Sequence, residues 1–204
     1  MNTIITIGRE FGSGGRELGK RIADNLKIAY YDKEIIMEIS KKTSMAEDYV
    51  QQIIENKPIM SFPITIGSSF YPVFNPIVDN TNAIYTEQSN TLINMAKRSD
   101  CVIIGRCADY ILEDYNPFKL FVYADINSKI KRCREKANKN ENLSDKELKQ
   151  QILEIDKNRS KYYHFFTGKK WGDRMNYDLC VNTSKLSVKD IANFISKTIC
   201  LKRS

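Results

Sequence analysis

Little in this chain is suited to metal or disulfide chemistry. Among its 204 residues there is one histidine and there are five cysteines. Cys101, Cys107, Cys133, Cys180 and Cys200 form no C-x-x-C pair, and His164 has no thiol near it at metal-ligand spacing. Free thiols, several of them buried, are therefore expected. Long apolar runs are missing too. No stretch approaches the roughly 18 uninterrupted apolar residues that cross a bilayer, and the opening Met1-Asn2-Thr3-Ile4-Ile5 lacks the basic and apolar regions of a signal peptide. These absences predict a cytoplasmic protein with no membrane partner.

Charge is less decisive. The 32 basic residues exceed the 25 acidic ones by seven, which suits nucleic acid and phosphorylated small molecules equally. The basic residues do not interleave with aromatics as they do on single-strand-binding surfaces, so a nucleic-acid partner is not expected. Across residues 129–149 the lysines mix with Glu135, Glu141, Asp145 and Glu147, a pattern that reads as a solvated helical surface.

Short apolar runs recur at residues 3–7, 28–31, 101–104, 120–124 and 179–181, rich in β-branched or aromatic side chains as strands buried on both faces tend to be. Between them lie segments with helical spacing: Leu18, Ile22 and Leu26 share one face, and Ile191, Phe194, Ile195 and Ile199 share another. The alternation predicts one α/β domain over residues 1–204, a parallel sheet with helices on both sides. Residues 58–82 break the rhythm. They hold four of the five prolines together with Phe62, Phe70, Tyr71 and Phe74, and read as an excursion over a cleft, partly buried because each aromatic costs roughly 1.5 to 3 kcal/mol to leave in water.

The most informative segment is Ile4-Ile5-Thr6-Ile7-Gly8-Arg9-Glu10-Phe11-Gly12-Ser13-Gly14-Gly15-Arg16-Glu17-Leu18-Gly19. A buried strand runs through four glycines in eight residues directly into an amphipathic helix. Glycines let successive backbone N–H groups converge on an anion, and the helix amino terminus adds its positive dipole. A plain strand-to-helix turn seldom needs Gly12, Gly14 and Gly15 together. Phosphate binding is the better reading, although the segment departs from the pattern G-x-x-x-x-G-K-[ST]. In one register Gly15 holds the lysine position, Arg16 the hydroxyl position and Arg9 the first glycine. In the other, Arg16 holds the lysine position and Glu17 the hydroxyl. Arg16 is the nearest cation for the β- and γ-phosphates, and its planar fork suits phosphate oxygens.

Other candidates follow strands. Arg106, in Gly105-Arg106-Cys107-Ala108-Asp109, would face the ligand crevice at the carboxyl end of its strand; a surface ion pair with Asp109 is the competing reading. Asp32 could accept hydrogen bonds from a ribose or base, or cap the helix that starts at Lys33. Arg132 and Arg134 lie on a helix over residues 127–138. Further on, Asp156 and Arg159 share a helix face, either as an ion pair alone or as an arginine aimed by its carboxylate at a transferring phosphoryl group.

At these residues the chain resembles the cytidylate kinase family, and more closely its cytidylate kinase-like branch. Four pieces in order carry the likeness: Ile4-Thr6-Ile7 with the glycine-rich loop, Tyr31-Asp32, Gly105-Arg106, and Asp156-x-x-Arg159. It covers the amino-terminal third and residues 87 onwards. The resemblance implies a three-layer P-loop fold with a five-stranded parallel sheet, an acceptor-binding excursion at about 33–86 and a helical lid at about 127–170. It further implies ATP and Mg²⁺, with ATP phosphates at Gly12, Ser13, Gly14, Gly15, Arg16 and Glu17, and a CMP-like acceptor at Asp32, Arg106, Asp156 and Arg159. Catalytic roles are implied for Arg16, Arg132, Asp156 and Arg159, and residues 182–184 would lie near the adenine. Ile104 stands where cytidylate kinases carry an aspartate. The two functional expectations are a nucleoside monophosphate kinase and a nucleotide-binding regulator that has lost turnover.

Overall fold

The computed structural model describes residues 2–55, 76–136 and 143–201. Within them β1 (Ile4–Arg9), β2 (Ala29–Tyr31), β3 (Cys101–Ile104), β4 (Phe118–Tyr123) and β5 (Leu179–Asn182) form one all-parallel sheet in the order β2-β3-β1-β4-β5. Every expected apolar run is a strand. β1 is buried at every position because it lies between β3 and β4 at the centre of the sheet. Its register pairs Ile7 with Ile104 and Arg9 with Val122, which brings the carboxyl ends of the central strands to one edge.

Helices cover both faces. Val102 and Ile104 turn towards α1 (Gly15–Leu26) and α8 (Val188–Leu201), where they join Ile7, Leu18, Ile22 and Ile195. Cys101 and Ile103, one residue out of phase, turn to the other face. There they meet Ile35 and Ile39 of α2 (Lys33–Thr43), Val50 of α3 (Glu47–Glu55) and Ile84 and Leu92 of α4 (Pro76–Arg98). The short helix α5 (Ala108–Ile111) follows β3 on this side, and Tyr162 and Tyr163 of α7 (Asp145–Thr167) close the layer. α6 (Ile126–Lys136) precedes α7, whose start carries a reciprocal capping box between Ser144 and Glu147. Among the described residues no helix is long and apolar enough to cross a membrane.

Three expectations change. Phe194 does not share the buried face of α8, being 69% exposed while Ile191, Ile195 and Ile199 are buried. The part of the 58–82 excursion from Pro76 onwards begins α4, and residues 56–75, with Phe62, Phe70, Tyr71 and Phe74, lie outside the described residues. The run at 129–149 is not uniformly solvated, because Lys129 is buried.

α1 approaches the sheet closely at Gly19. A Cβ there would lie 2.5 Å from Cδ1 of Ile104 and 3.0 Å from Cδ1 of Ile7, so no side chain fits between helix and strands. Gly19→Leu is expected to lower stability by about 1 to 3 kcal/mol through overpacking, read as a lower urea midpoint. An unchanged midpoint would show that α1 can shift outwards freely.

Candidate functional site

The glycine-rich loop joins β1 to α1 in the way its composition demands. Gly12 and Gly14 have φ of 72° and 83°, in the left-handed region that favours glycine. Gly14 is also the N-cap of α1, and no side chain caps that helix, which leaves its first amides to an anion. Outside groups fix the loop by its carbonyls and one amide. Thr183 Oγ1 donates to the Ser13 carbonyl at 2.6 Å, and Arg132 donates to the carbonyls of Gly12 at 2.9 Å and Thr183 at 3.1 Å. The Phe11 N–H donates to Asp156 Oδ1 at 2.6 Å. Ser13 gives its hydroxyl to the Glu10 carbonyl, and Glu17 turns to Arg21 and Lys136. Over the loop opens a cleft of about 390 Å³, bounded by Gly12, Gly14, Gly15, Arg132 and Leu148.

Beside this cleft lies a cluster of arginines from four separate elements: Arg9 at the end of β1, Arg16 on α1, Arg106 after β3 and Arg159 on α7. Three carboxylates answer them. Asp32 accepts from Arg16 at 2.8 Å, Glu55 lies 3.4 Å from Arg106 and 3.9 Å from Arg16, and Asp156 lies 3.7 Å from Arg159. The match is incomplete. Arg9 Nη2, Arg106 Nε and Asp32 Oδ1 are buried without partners among the described residues. Burial pushes the ionisation of Arg9 far down, and Arg159, Arg106 and Arg16 add to the effect. Burial also works against the charge of Glu55, but Arg106 and Arg159 outweigh it and hold its carboxyl below the usual range. A smaller chamber of about 40 Å³ lies under the cluster, walled by Glu55, Arg106, Tyr163, Trp171 and Tyr177. Arg9 and Arg159 line both chamber and cleft.

Arg106 is held in an unusual backbone turn. Gly105, Arg106 and Cys107 have φ of 66°, 60° and 53°, three successive residues in the left-handed region. Each non-glycine there costs roughly 1 to 2 kcal/mol, so surrounding contacts must enforce the turn. Gln88 of α4 does so, donating to the Arg106 carbonyl at 2.9 Å while it accepts from the Tyr162 hydroxyl at 3.2 Å. The competing surface pair is absent, since Asp109 accepts instead from Tyr163 at 2.6 Å. Asp32 precedes α2 but makes no side-chain cap, and its buried carboxylate turns to Arg16 instead.

A second hub sits under the loop. Lys129 Nζ lies 2.7 Å from Glu10 and 2.9 Å from Asp156. Burial disfavours its charge, yet the two carboxylates outweigh this and raise its pKa. Asp156 thereby ties α6, α7 and the loop amide of Phe11 together, and its partner Arg159 donates to the Arg9 carbonyl at 3.5 Å.

A model of the cytidylate kinase-like family matches residues 4–185. The chain belongs to that family. Cytidylate kinases of Pyrococcus horikoshii and Staphylothermus marinus are 25% and 23% identical over 96% of this chain, covering 88% and 96% of those proteins. An uncharacterised Eubacterium ventriosum protein superposes with a TM-score of 0.70 at 29% identity, covering 97% of this chain and 98% of its own. Shikimate kinase from Bacteroides thetaiotaomicron shares the fold, with a TM-score of 0.56 at 15% identity over 97% of this chain and 98% of its own. For this cytidylate kinase-like protein, family and fold support a nucleoside monophosphate kinase-like role.

The structure brings Arg16 and Arg159 to the cleft over Gly12, Gly14 and Gly15, with Arg132 also lining it, and Arg106 to the adjoining chamber; Asp32 and Asp156 stand behind as ion-pair partners of Arg16 and Arg159, and Ser13 is buried in the loop. Arg134 also lines the cleft, where it is exposed and pairs with Asp145. Sequence reasoning gave no site role to Arg9, Glu55, Gln88 or Lys129. Only Arg9 carried a signal, as an arginine where a phosphate loop has its first glycine. Lys129→Met removes the cation shared by Glu10 and Asp156 and should cost at least about 2 kcal/mol, moderated because Glu10 is partly solvated. Lys131→Met, on the exposed side of the same helix, should stay within about 0.5 kcal/mol. Equal urea midpoints for the two variants would dismiss the hub.

Proposed function

We propose that the protein transfers the γ-phosphate of ATP to a nucleoside monophosphate, with CMP and dCMP as first candidates. The observation that carries this reading is the set of buried, incompletely paired arginines that begins with Arg9, where β1 enters the glycine-rich loop. The uncapped start of α1 and the left-handed glycines fit ATP phosphates, and the 390 Å³ cleft has the size of a nucleotide site. Among the described residues no group of His, Cys, Asp or Glu builds a metal cage. Mg²⁺ would arrive on the nucleotide, held by phosphate oxygens and water.

In the proposed reaction an acceptor phosphate oxygen bonds to the γ-phosphorus as the bond to the β–γ bridging oxygen breaks. ADP leaves with that electron pair, and no enzyme-bound covalent intermediate forms. What the protein supplies is position and charge neutralisation. Arg106 and Arg159 bind the acceptor phosphate, Arg16 and Asp32 lie at its sugar or base side, and Asp156 positions Arg159 and the loop. Four arginines here face three carboxylates. If the acceptor displaces Glu55, two positive charges are left, about the charge of a phosphate monoester at neutral pH.

The decisive experiment measures ADP release from Mg-ATP with CMP, dCMP, UMP, AMP and non-nucleotide acceptors. Turnover dependent on a monophosphate is expected, and nucleotide binding with no acceptor-dependent turnover would favour a regulatory protein. Arg159→Lys keeps the charge but loses the bidentate fork, so turnover should fall at least about tenfold with a smaller change in ATP affinity. Glu55→Gln should tighten monophosphate binding several-fold, because a neutral amide no longer competes for Arg106. Weaker binding in that variant would make Glu55 a contact of the acceptor instead.

A further inference from the structure

Two departures of the loop from the usual phosphate-binding pattern prove to be one feature in space. Gly15 stands at the lysine position and Arg9 at the first glycine. A Cβ on Gly15 would lie 2.6 Å from Cβ and 3.1 Å from Cγ of Arg9, and 3.3 Å from Cβ of Val122. The stem of Arg9 thus fills the space that a side chain at position 15 would enter, and a lysine there cannot coexist with it in this arrangement. At its far end the guanidinium crosses Gly105 so closely that a Cβ on that glycine would overlap Nη1. Both ends of the Arg9 side chain are therefore accommodated by glycines.

Among the described residues the charge of Arg9 is answered only at longer range, by Asp32 and Glu55. It is 7% exposed, its Nη2 has no partner, and among the described residues no carboxylate pairs with it. Its charged neighbours are chiefly arginines. A buried cation among cations is costly unless an anion joins them. That anion must come to the junction of the cleft and the chamber, because Arg9 and Arg159 are the two residues that line both. A phosphoryl group passing from a donor over the loop to an acceptor beneath the arginines would cross this point. Arg16, in contrast, lines the cleft but is half-exposed and already pairs with Asp32.

We propose that Arg9 supplies the cation of this phosphate loop, taking the place of the missing lysine and contacting the terminal phosphates of the donor from the opposite flank. Gly15 is kept small to admit it. This rests on the reading of the cleft as the ATP site, and it replaces Arg16 by Arg9 as the donor cation.

The test is an exchange of the two positions. Arg9→Met keeps the stem and removes the charge; it should weaken Mg-ATP and inorganic tripolyphosphate binding at least tenfold by calorimetry and leave adenosine binding unchanged. Gly15→Lys alone should lower the melting temperature and bind tripolyphosphate no better than Arg9→Met. Arg9→Gly combined with Gly15→Lys should recover both the melting temperature and at least tenfold of the affinity that Arg9→Gly loses, since each change makes room for the other. Arg16→Ala should impair CMP binding more than Mg-ATP binding. Wild-type affinity in Arg9→Met, or a double variant no better than its worse single variant, overturns the proposal. A wild-type protein that binds Mg-ATP but transfers to no acceptor ends the kinase reading alone, and binding then decides the role of Arg9. One that binds neither Mg-ATP nor tripolyphosphate ends both.

Discussion

The constraint on which the site depends is positive charge concentrated out of water. Arg9, Arg106 and Arg159 are each largely buried, and the carboxylates near them leave donors unsatisfied. An unpaired buried charge costs several kcal/mol, so it persists only where the fold leaves the side chain no other place. Here the fold does that by geometry. Arg9 is the last residue of a fully buried central strand, Arg106 is locked in a left-handed turn, and Arg159 is tied to Asp156 on a long helix. None can swing into solvent without breaking a strand, a turn or a helix contact.

Rigid support of this kind separates the groups that touch a ligand from those that hold them. The loop presents its amides to the cleft because its carbonyls are occupied elsewhere, by Thr183 and Arg132, and because Asp156 draws the Phe11 amide aside. Lys129 and Arg159 together balance the two carboxylates under the loop, so their negative charge does not spread to the phosphate side. Gln88 and Tyr162 do the equivalent for Arg106 with neutral groups. Positive potential is thereby focused at the cleft, and its support is electrically quiet.

The sheet was legible in the sequence because its strands are buried on both faces, which leaves short β-branched runs as a local signal. The loop was legible for a similar reason, as three glycines together have few other uses. Contacts that span the chain were not. Gln88 reaches Arg106 from α4, and Glu55 reaches it from the end of α3, and nothing in their own neighbourhoods marks them. Lys129 sits in a lysine-rich stretch that reads as surface, and only the partners brought by β1 and α7 reveal a buried ion. Phe194 fails in the opposite sense: its spacing suits the buried face of α8, but the neighbours needed to cover it do not reach that far round the helix.

The departures from the cytidylate kinase pattern are best understood together. Ile104 is wholly buried against Gly19 among aliphatic side chains, so an aspartate at that position would be desolvated and β3 contributes no carboxylate here. The negative charge that faces the arginines comes instead from Asp32 and Glu55, one after β2 and the other at the end of α3. A carboxylate at the end of a helix is poorly placed with respect to the helix dipole, which makes Glu55 the more readily displaced of the two. With no aspartate at 104 and with Arg9 buried beside Arg106 and Arg159, the demand for an external anion falls at one point, while the bare Gly15 leaves Arg9 its space. Each change alone would leave either a steric clash or an unbalanced charge, and in combination they make an anion-requiring site on an otherwise ordinary phosphate-loop scaffold.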